Sequence, residues 1–443
     1  MQEISILGQM AAFYGRLAWE EVPKEVIEKA KLCLLDVLEC CQAAPLDRRM
    51  KGALGSVSKY KTDAGAIVWG EDFCLWARDA AFANAVRGSL SYRNDLHRNS
   101  AVHGGAVACA AAIAAAEEYQ APPSQALLGI VAGYDAMIRL GETLSRAGLP
   151  KGYRSSAVCA AFGAAIAAGK TMGLPVRELA SAASFACHGA GGNNQWAASG
   201  TGEDVFQAGW GARNGVEAAE LAGAGALGCL ESLEGEDGLL TCLGAGKEAG
   251  HMLEELGKRF CILEVEHKPV EACLMLQTPC QAAETLREQK AICPQEVEKI
   301  FLYVAGQAKK QPGCDCLRIE NSVQAKMNLR YGVAQTLYRR NTWDKPDERM
   351  QNLIEKIQVL EEPAFTRQFP GKVPARLQIW AGGHCFEEEA EDFRPLPPEG
   401  VRERFAGTCR RELGAERAEK ILKAVDCLEN LGAMEHFTGF LKR

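Results

Sequence analysis

Apolar residues recur at helical spacing through most of the first 258 positions. After Pro122-Pro123-Ser124, the residues Leu127, Leu128, Val131, Met137, Leu140 and Leu144 follow one another as the buried face of a helix would require. Ser124 is the expected N-cap and Gly148-Leu149-Pro150 the expected stop. Comparable periodicity runs through 23–41, 74–90, 105–119, 155–172, 176–187 and 207–222. Many inward positions are Ala or Gly, which lets helices approach closely. Near residue 260 the pattern changes. Segments 262–266, 300–304, 357–359 and 377–379 are short β-branched or alternating runs, separated by helical stretches around 278–289 and 323–338. From Pro398 the helical pattern returns, through 401–413 and 416–428. The chain is therefore expected to be mainly α. A large all-helical domain takes in 1–258 and the returning 398–443, and a smaller α+β lid domain takes in 259–397.

Composition narrows the function classes. A hydrophobic fraction of 47% and a charged fraction of 24% over 443 residues are ordinary for a globular protein. The net charge of −7 and the lack of an arginine–aromatic stripe argue against a nucleic-acid partner. The most apolar stretch, GGAVACAAAIAAA from Gly104, falls short of the ~20 residues of a membrane span. The N-terminal residues lack the pattern of a signal peptide, so a soluble cytoplasmic protein with no membrane partner is expected. Its 18 cysteines are scattered singly through Ala/Leu-rich segments and read as free thiols in a reducing compartment. Cys40-Cys41 and Cys314-Asp315-Cys316 lack zinc-site spacing, and no metal is expected. Two nucleotide-like motifs fail on context. The glycines at 223, 225 and 228 spell GxGxxG but follow a helical segment rather than a strand. GAAIAAGKT, 163–171, has one residue too many for a phosphate loop and lies within a helix. No cofactor is expected.

Chemistry concentrates in YRNDLHRNSAVHGG, 92–105, where Arg93, Asp95, His97, Arg98 and His103 precede an uncharged Ala-rich helix. Imidazole exchanges protons near neutral pH, a carboxylate such as Asp95 can orient it, and an arginine such as Arg93 can hold a substrate carboxylate in a fork. A solvated loop with a capping aspartate is the alternative. Three further segments are candidates. Glu266-His267-Lys268-Pro269 offers a lysine that binds an anion or, if desolvated, takes a proton; a surface turn is the alternative. In Lys326-Met327-Asn328-Leu329-Arg330-Tyr331, the tyrosine could equally be a core aromatic with a satisfied hydroxyl. Gly152-Tyr153-Arg154-Ser155-Ser156 opens a helix whose N-terminus favours anions, with Arg154 adding charge.

Taken in order, these segments resemble the MmgE/PrpD family over nearly the whole chain. The resemblance runs through Asp95 to His103, GYDAMIRLGE at 133–142, GYRSSAVCAAFGAAIAAGKTMGL at 152–174 and FQAGWGARNGVEAAELA at 206–222. It continues through LEGEDG, EVEHKPVEAC, AKMNLRYGVA, PAFTRQFPGK and VRERFAG. That family includes 2-methylcitrate dehydratase, cis-aconitate decarboxylase and iminodisuccinate epimerase. The resemblance implies a cofactor-independent homodimer whose active site lies between a helical domain and an α+β lid. It places His103 at the family's loop histidine, and Lys268, Cys273 and Tyr331 at matching lid positions. Several positions depart from the better-known members: Gly104-Gly105 replaces Pro-Ser, Arg154 replaces histidine, Asp204 replaces a substrate-binding lysine, and Leu274 and Gln277 replace arginine and histidine.

The chemistry implied is proton transfer beside a carboxylate, by a lyase of dehydratase or decarboxylase type. On this reading His103 is the general acid/base, with Lys268 and Tyr331 as partners and Asp95 and His97 tuning it. Arg93, Arg154, Asp204 and Gln277 bind substrate, a small carboxylate with fewer acid groups than a tricarboxylate or with an amino group that Asp204 pairs. An epimerase or isomerase, and a non-catalytic metabolite-binding homologue, are the alternatives.

Overall fold

A computed structural model describes residues 5–443. The chain divides into two compact units: 1–193, 203–267 and 397–443 form the first, and 194–202 with 268–396 form the second. Segment 259–267, which the sequence pattern assigns to the lid, thus belongs to the helical unit. The short piece 194–202 goes the other way.

The first unit is helical almost throughout: α1 (Ile6–Arg16), α2 (Lys24–Ala43), α3 (Arg48–Val57), α4 (Ala77–Ser89), α5 (Gly105–Glu118), α6 (Pro123–Ala147), α7 (Ser155–Thr171), α8 (Val176–Cys187) and α9 (Asp204–Gly223). The start of α6 is two residues earlier than an N-cap at Ser124 would set it. Pro123 takes the first helical position, where its fixed φ and missing N–H cost nothing, and Gly148 ends the helix at φ +79°. In α7 every residue from Ser156 to Thr171 is buried, as an all-round apolar helix at the centre of a bundle must be. Its neighbours come close because glycine faces it. A Cβ on Gly211 or Gly215 of α9 would lie within 2.3 Å of Ala160 or Ala164, and one on Gly133 of α6 would lie 2.7 Å from Ala167.

One buried ion pair ties this bundle to the irregular chain behind it. Asp135 accepts from Arg139 Nε and Tyr14 Oη, both at 2.7 Å, and from the Cys261 amide at 2.9 Å. Arg139 in turn donates to the Glu254 and Arg259 carbonyls. Segment 262–266 is consequently not a strand. Cys261–Glu264 is a 3-10 turn, and Glu266 makes a single antiparallel bridge with Leu96. The GxGxxG glycines form the turn after α9, with Gly225 at φ +95°.

In the second unit α10 (Leu274–Lys290) and α11 (Leu329–Leu337) accompany a four-stranded sheet. Its strands are β1 (Val297–Val304), β2 (Ile357–Glu361), β3 (Ala375–Ala381) and β4 (His384–Ala390), in the order β2-β1-β3-β4. β1 and β2 are parallel and the other pairings antiparallel. Burial alternates strictly along β3, as its sequence pattern requires. The chain then returns to the first unit through α12 (Pro398–Leu413) and α13 (Ala415–Asp426). All 18 cysteines are free thiols, and no helix among the described residues is long and apolar enough to cross a membrane.

Candidate functional site

The loop from Tyr92 to Gly104 is held in an uncommon shape. Tyr92 and Ala101 both adopt left-handed backbone conformations, φ +62° and +53°, which side-chain-bearing residues keep only when the surroundings impose them. Two antiparallel bridges, Leu96 with Glu266 and His97 with Val102, fix its middle. Two serines opening α7 fix its end: Ser155 Oγ donates to the Ser100 carbonyl at 2.6 Å, and Ser156 Oγ donates to the Ala101 carbonyl at 3.0 Å. Ser156 Oγ also accepts from the His103 amide at 3.1 Å. His103 follows directly, half-buried, its Nδ1 2.7 Å from the Asp95 carbonyl oxygen. A carbonyl only accepts, so Nδ1 carries the hydrogen and Nε2 is the basic nitrogen.

Asp95 therefore orients His103 through its main chain, not through the carboxylate that the sequence suggested. The carboxylate points into the bundle, accepting from Tyr134 Oη at 2.5 Å and from the Gly105 amide at 3.2 Å. Burial, reinforced by the charge of Asp36, pushes this carboxyl up. Asp36 accepts from the Asp95 amide at 3.1 Å and lies beside His267 Nδ1, at 3.2 Å, and Arg404. Burial acts to raise the Asp36 carboxyl as well, but His267 and Arg404 outweigh it and bring it down to about 2. Tyr134 also explains Gly104-Gly105. A Cβ at either position would come within 2.7 Å of its ring or hydroxyl, so the pair is glycine because the tyrosine lies against it.

Arg93 is committed to the protein. Its Nη1 donates to Glu39 at 2.6 Å, and Glu39, fully buried, also accepts from Thr408 at 2.8 Å and pairs with Arg404. The expected carboxylate fork is thus closed by an internal acid. His97 is likewise drawn elsewhere: Nδ1 lies 2.9 Å from Ser100 Oγ, and Nε2 lies 3.3 Å from Glu264 and 3.8 Å from Glu142. It latches the loop rather than tuning His103. His97, Glu142 and Glu264 are close enough to share a cation, but Arg259 already donates to both glutamates. The guanidinium fills the role that a metal ion would take.

Arg154 and Asp204, two departures from the family pattern, face each other. Arg154 Nη2 is 3.8 Å from Asp204 Oδ2, and Nη1 reaches the Asp204 carbonyl and Gln207 Oε1, each at 3.4 Å. Asp204 Oδ1 accepts from Tyr92 Oη at 2.8 Å. Burial pushes the Asp204 carboxyl up, against the pull of Arg154 and Tyr92.

Within the second unit, Lys268 is buried and donates to the Ala272 carbonyl at 3.3 Å. Gln277 closes the same turn: it accepts from the Val270 amide and donates to the carbonyls of Val270, Ala272 and Cys273, at 3.0–3.2 Å. Its amide is used by the backbone, which leaves the side chain a structural part rather than a substrate ligand. Tyr331 Oη donates to the Thr342 carbonyl at 3.2 Å and accepts from the Asp344 amide at 3.0 Å, with its ring stacked on Trp343. That is the core aromatic with a satisfied hydroxyl. Cys273 caps α10, and a hydrogen bond from Cys314, aided by helix amides and Lys268, outweighs burial and brings its thiol down to about 7.

Residues 8–251 match the MmgE/PrpD N-terminal domain and residues 271–430 match the MmgE/PrpD C-terminal domain. The chain belongs to the MmgE/PrpD family. Over 296 residues it is 25% identical to cis-aconitate decarboxylase of Aspergillus terreus, across 64% of this chain and 60% of that protein. The match therefore spans less than two thirds of that relative's length. With the cis-aconitate decarboxylase-like protein oryM of Aspergillus oryzae it shares 23% identity over an alignment of 468 residues, across 96% of this chain and 95% of the relative.

Sequence reasoning missed Asp36, Tyr134 and Arg404 as braces of the family's loop in this member, and it read Ser155 and Ser156 as the opening of an anion-binding helix rather than as anchors of that loop. A signal existed for Asp36 and Glu39. Both interrupt the otherwise apolar CLLDVLECC of α2, and buried charges in such a run require partners. Nothing in the sequence pairs them with Arg404, which lies 368 positions beyond Asp36.

Proposed function

We propose that this family member is a lyase of dehydratase or decarboxylase type that moves a proton at a carbon next to a carboxylate, without a cofactor. The observation that carries the reading is the setting of His103. Its Nδ1–H is held by the Asp95 carbonyl, which leaves Nε2 as base in one direction and, once protonated, as acid in the other. Membership of a family whose curated relatives are named cis-aconitate decarboxylases supports the lyase class. Proton removal there leaves an enolate-like state, whose charge needs fixed cations and N–H donors. Arg154 is the cation assigned to it, while Arg93, His97, Gln277 and Tyr331 hold the structure. The substrate is a small mono- or dicarboxylate. The Arg154–Asp204 pair puts a negative charge where a lysine would serve a third carboxylate. The free thiols fit work in a reducing compartment, and we infer a homodimer from the exposed Trp210 and Leu221 of α9.

Deuterium incorporation from heavy water, screened over mono-, di- and tricarboxylates, tests the reaction. Exchange or turnover is expected with a mono- or dicarboxylate. His103→Ala is expected to lower it by about 10²–10⁴-fold with the circular dichroism spectrum unchanged. Undiminished exchange in that variant rules out the assignment, and a tricarboxylate as the best substrate rules out the substrate class. Exchange without loss of a group from the substrate would identify an epimerase instead.

A further inference from the structure

The proposed base is oriented by a main-chain carbonyl, so whatever fixes that carbonyl fixes the base. The peptide unit concerned joins Asp95 to Leu96. Its oxygen lies 2.7 Å from His103 Nδ1, and its N–H donates to the Glu266 carbonyl at 2.8 Å. A peptide that donates at one edge accepts more strongly at the other. Both neighbours of this unit lead to the same side chain. On one side, the Asp95 amide donates to Asp36 Oδ2 at 3.1 Å. On the other, Glu266 stands between two fixed points: the Val265 carbonyl accepts from Lys29 Nζ at 2.6 Å, and His267 Nδ1 lies 3.2 Å from Asp36 Oδ1. Lys29 Nζ is also 3.2 Å from His267 Nε2. An ammonium only donates, so Nε2 accepts and Nδ1 carries the hydrogen that faces Asp36. Lys29 and Asp36 are about two turns apart on α2, so one face of that helix grips segment 265–267 and the loop together. Arg404 of α12 closes the remaining side of Asp36. Asp36 is fully buried, and a buried carboxylate among three donors is fixed in direction.

We propose that Asp36 is the positioning residue of His103. It holds the Asp95–Leu96 peptide from both ends, through the Asp95 amide and through His267 and the Glu266 carbonyl, and so keeps the imidazole in its Nδ1–H form with Nε2 as the base. The arrangement is a carboxylate–imidazole pair with a peptide unit between the two. The spacing matters to the chemistry. A carboxylate touching Nδ1 would favour the imidazolium, whereas a carbonyl fixes the tautomer without adding that charge. The inference rests on the reading of His103 as the base, and it gives Asp36 and His267 a part that the proposed mechanism leaves open.

Nitrogen NMR of the full chain with isotope-labelled histidine tests this without any substrate, the His103 signals being those lost in His103→Ala. The unaltered protein is expected to show His103 as the Nδ1–H tautomer. Asp36→Ala removes the anchor. Asp36→Asn must turn a donor towards the Asp95 amide or towards Arg404 and His267. Both should give a mixture of the two tautomers. Glu39→Gln is the control: Glu39 is equally buried, lies one turn along α2 and also pairs with Arg404, but its other partners are Arg93 and Thr408. It should lose stability and leave His103 in the Nδ1–H form. His267→Leu, which removes only the second route, should give a smaller share of the other tautomer and serves if neither Asp36 variant folds. An unaltered protein with His103 in the Nε2–H form or as a mixture overturns the proposal. So does an unchanged tautomer in the Asp36 variants or, in their place, in His267→Leu, and so does an equal mixture in Glu39→Gln. Deuterium exchange separates this inference from the function beneath it. Asp36→Ala is expected to lower His103-dependent exchange about 10²-fold, in kcat rather than in KM. A tautomer that depends on Asp36, with no exchange in any carboxylate, leaves the positioning role standing and removes the proton-transfer function. His103-dependent exchange that Asp36→Ala leaves unchanged does the reverse.

Discussion

Among the side chains whose proton affinity the fold displaces are a buried acid and one capping thiol. Glu117 of α5 is almost fully buried, accepts from Thr438 Oγ1 at 2.6 Å and from the Ile67 amide at 3.2 Å, and burial pushes its carboxyl up to about 8. The folded state therefore holds this proton more tightly than the unfolded chain does. Stability from the protonated form is fully present below the ordinary carboxylate range and is lost as pH rises through about 8. Glu117→Gln should remove that loss. Denaturation at pH 6 and pH 9 should show the wild type weakening relative to the variant by a few kcal/mol, and parallel pH profiles would contradict it. Cys273 is displaced the other way. Its thiol, near 7 because of the Cys314 hydrogen bond and the α10 terminus, should be alkylated by iodoacetamide with a midpoint near pH 7. Core thiols such as Cys159, pushed up to about 12 by burial, should stay inert. Peptide mapping after brief labelling reads both. Residue identity marked His103 as a candidate, and the resemblance made it the proposed base, since a histidine before an apolar helix is visible in the sequence. It did not reveal that Arg93 and His97 are engaged by Glu39 and Glu264, because those partners lie 54 and 167 positions away.

At the scale of elements, the periodic helices were legible and the irregular segments were not. Helices α2, α5 through α9, α12 and α13 fall where the apolar spacing predicts them, because a strong repeat over several turns outweighs local propensity. The run at 262–266 is β-branched, yet it forms a 3-10 turn because Asp135 captures the Cys261 amide. β4 went unseen since HCFEEEA shows no buried face: it is an edge strand with mostly exposed side chains. The junction of the loop with α5 is where an element-level prediction is sharpest. A Cβ at Gly105 would lie 2.6 Å from Tyr134 Oη and 2.7 Å from Val37, so Gly105→Ser should cost about 1–3 kcal/mol through overpacking. Tyr134→Phe removes one of the two obstructing atoms, so the double variant should recover part of that loss in a denaturant titration. Strict additivity of the two changes would mean that Tyr134 does not set the glycine requirement.

For the whole molecule, the chain divides into two compact units with its C-terminal segment in the first, whereas the sequence pattern puts the first boundary at the change of texture rather than at the change of packing. Residues 259–267 read as lid by their β-branched composition; the Asp135–Arg139 pair and the Leu96–Glu266 bridge hold them in the helical unit. Assembly depends on a surface rather than a boundary. Trp210 and Leu221 of α9 are 53% and 50% exposed, and an eleven-residue separation brings them back to one face of the helix. Large apolar side chains aligned this way on a helix that otherwise packs into the core are the mark of an interaction face. The proposed homodimer would bury them. Trp210→Glu places a charge in such a face without touching the core, and light scattering should then report a monomer where the unaltered chain gives a dimer. A dimer that survives the substitution would place the contact elsewhere on the molecule. If the monomer still exchanges deuterium into substrate at the wild-type rate, the chemistry around His103 is complete within one chain; if exchange falls with the dimer, the second copy supplies something that the reaction needs.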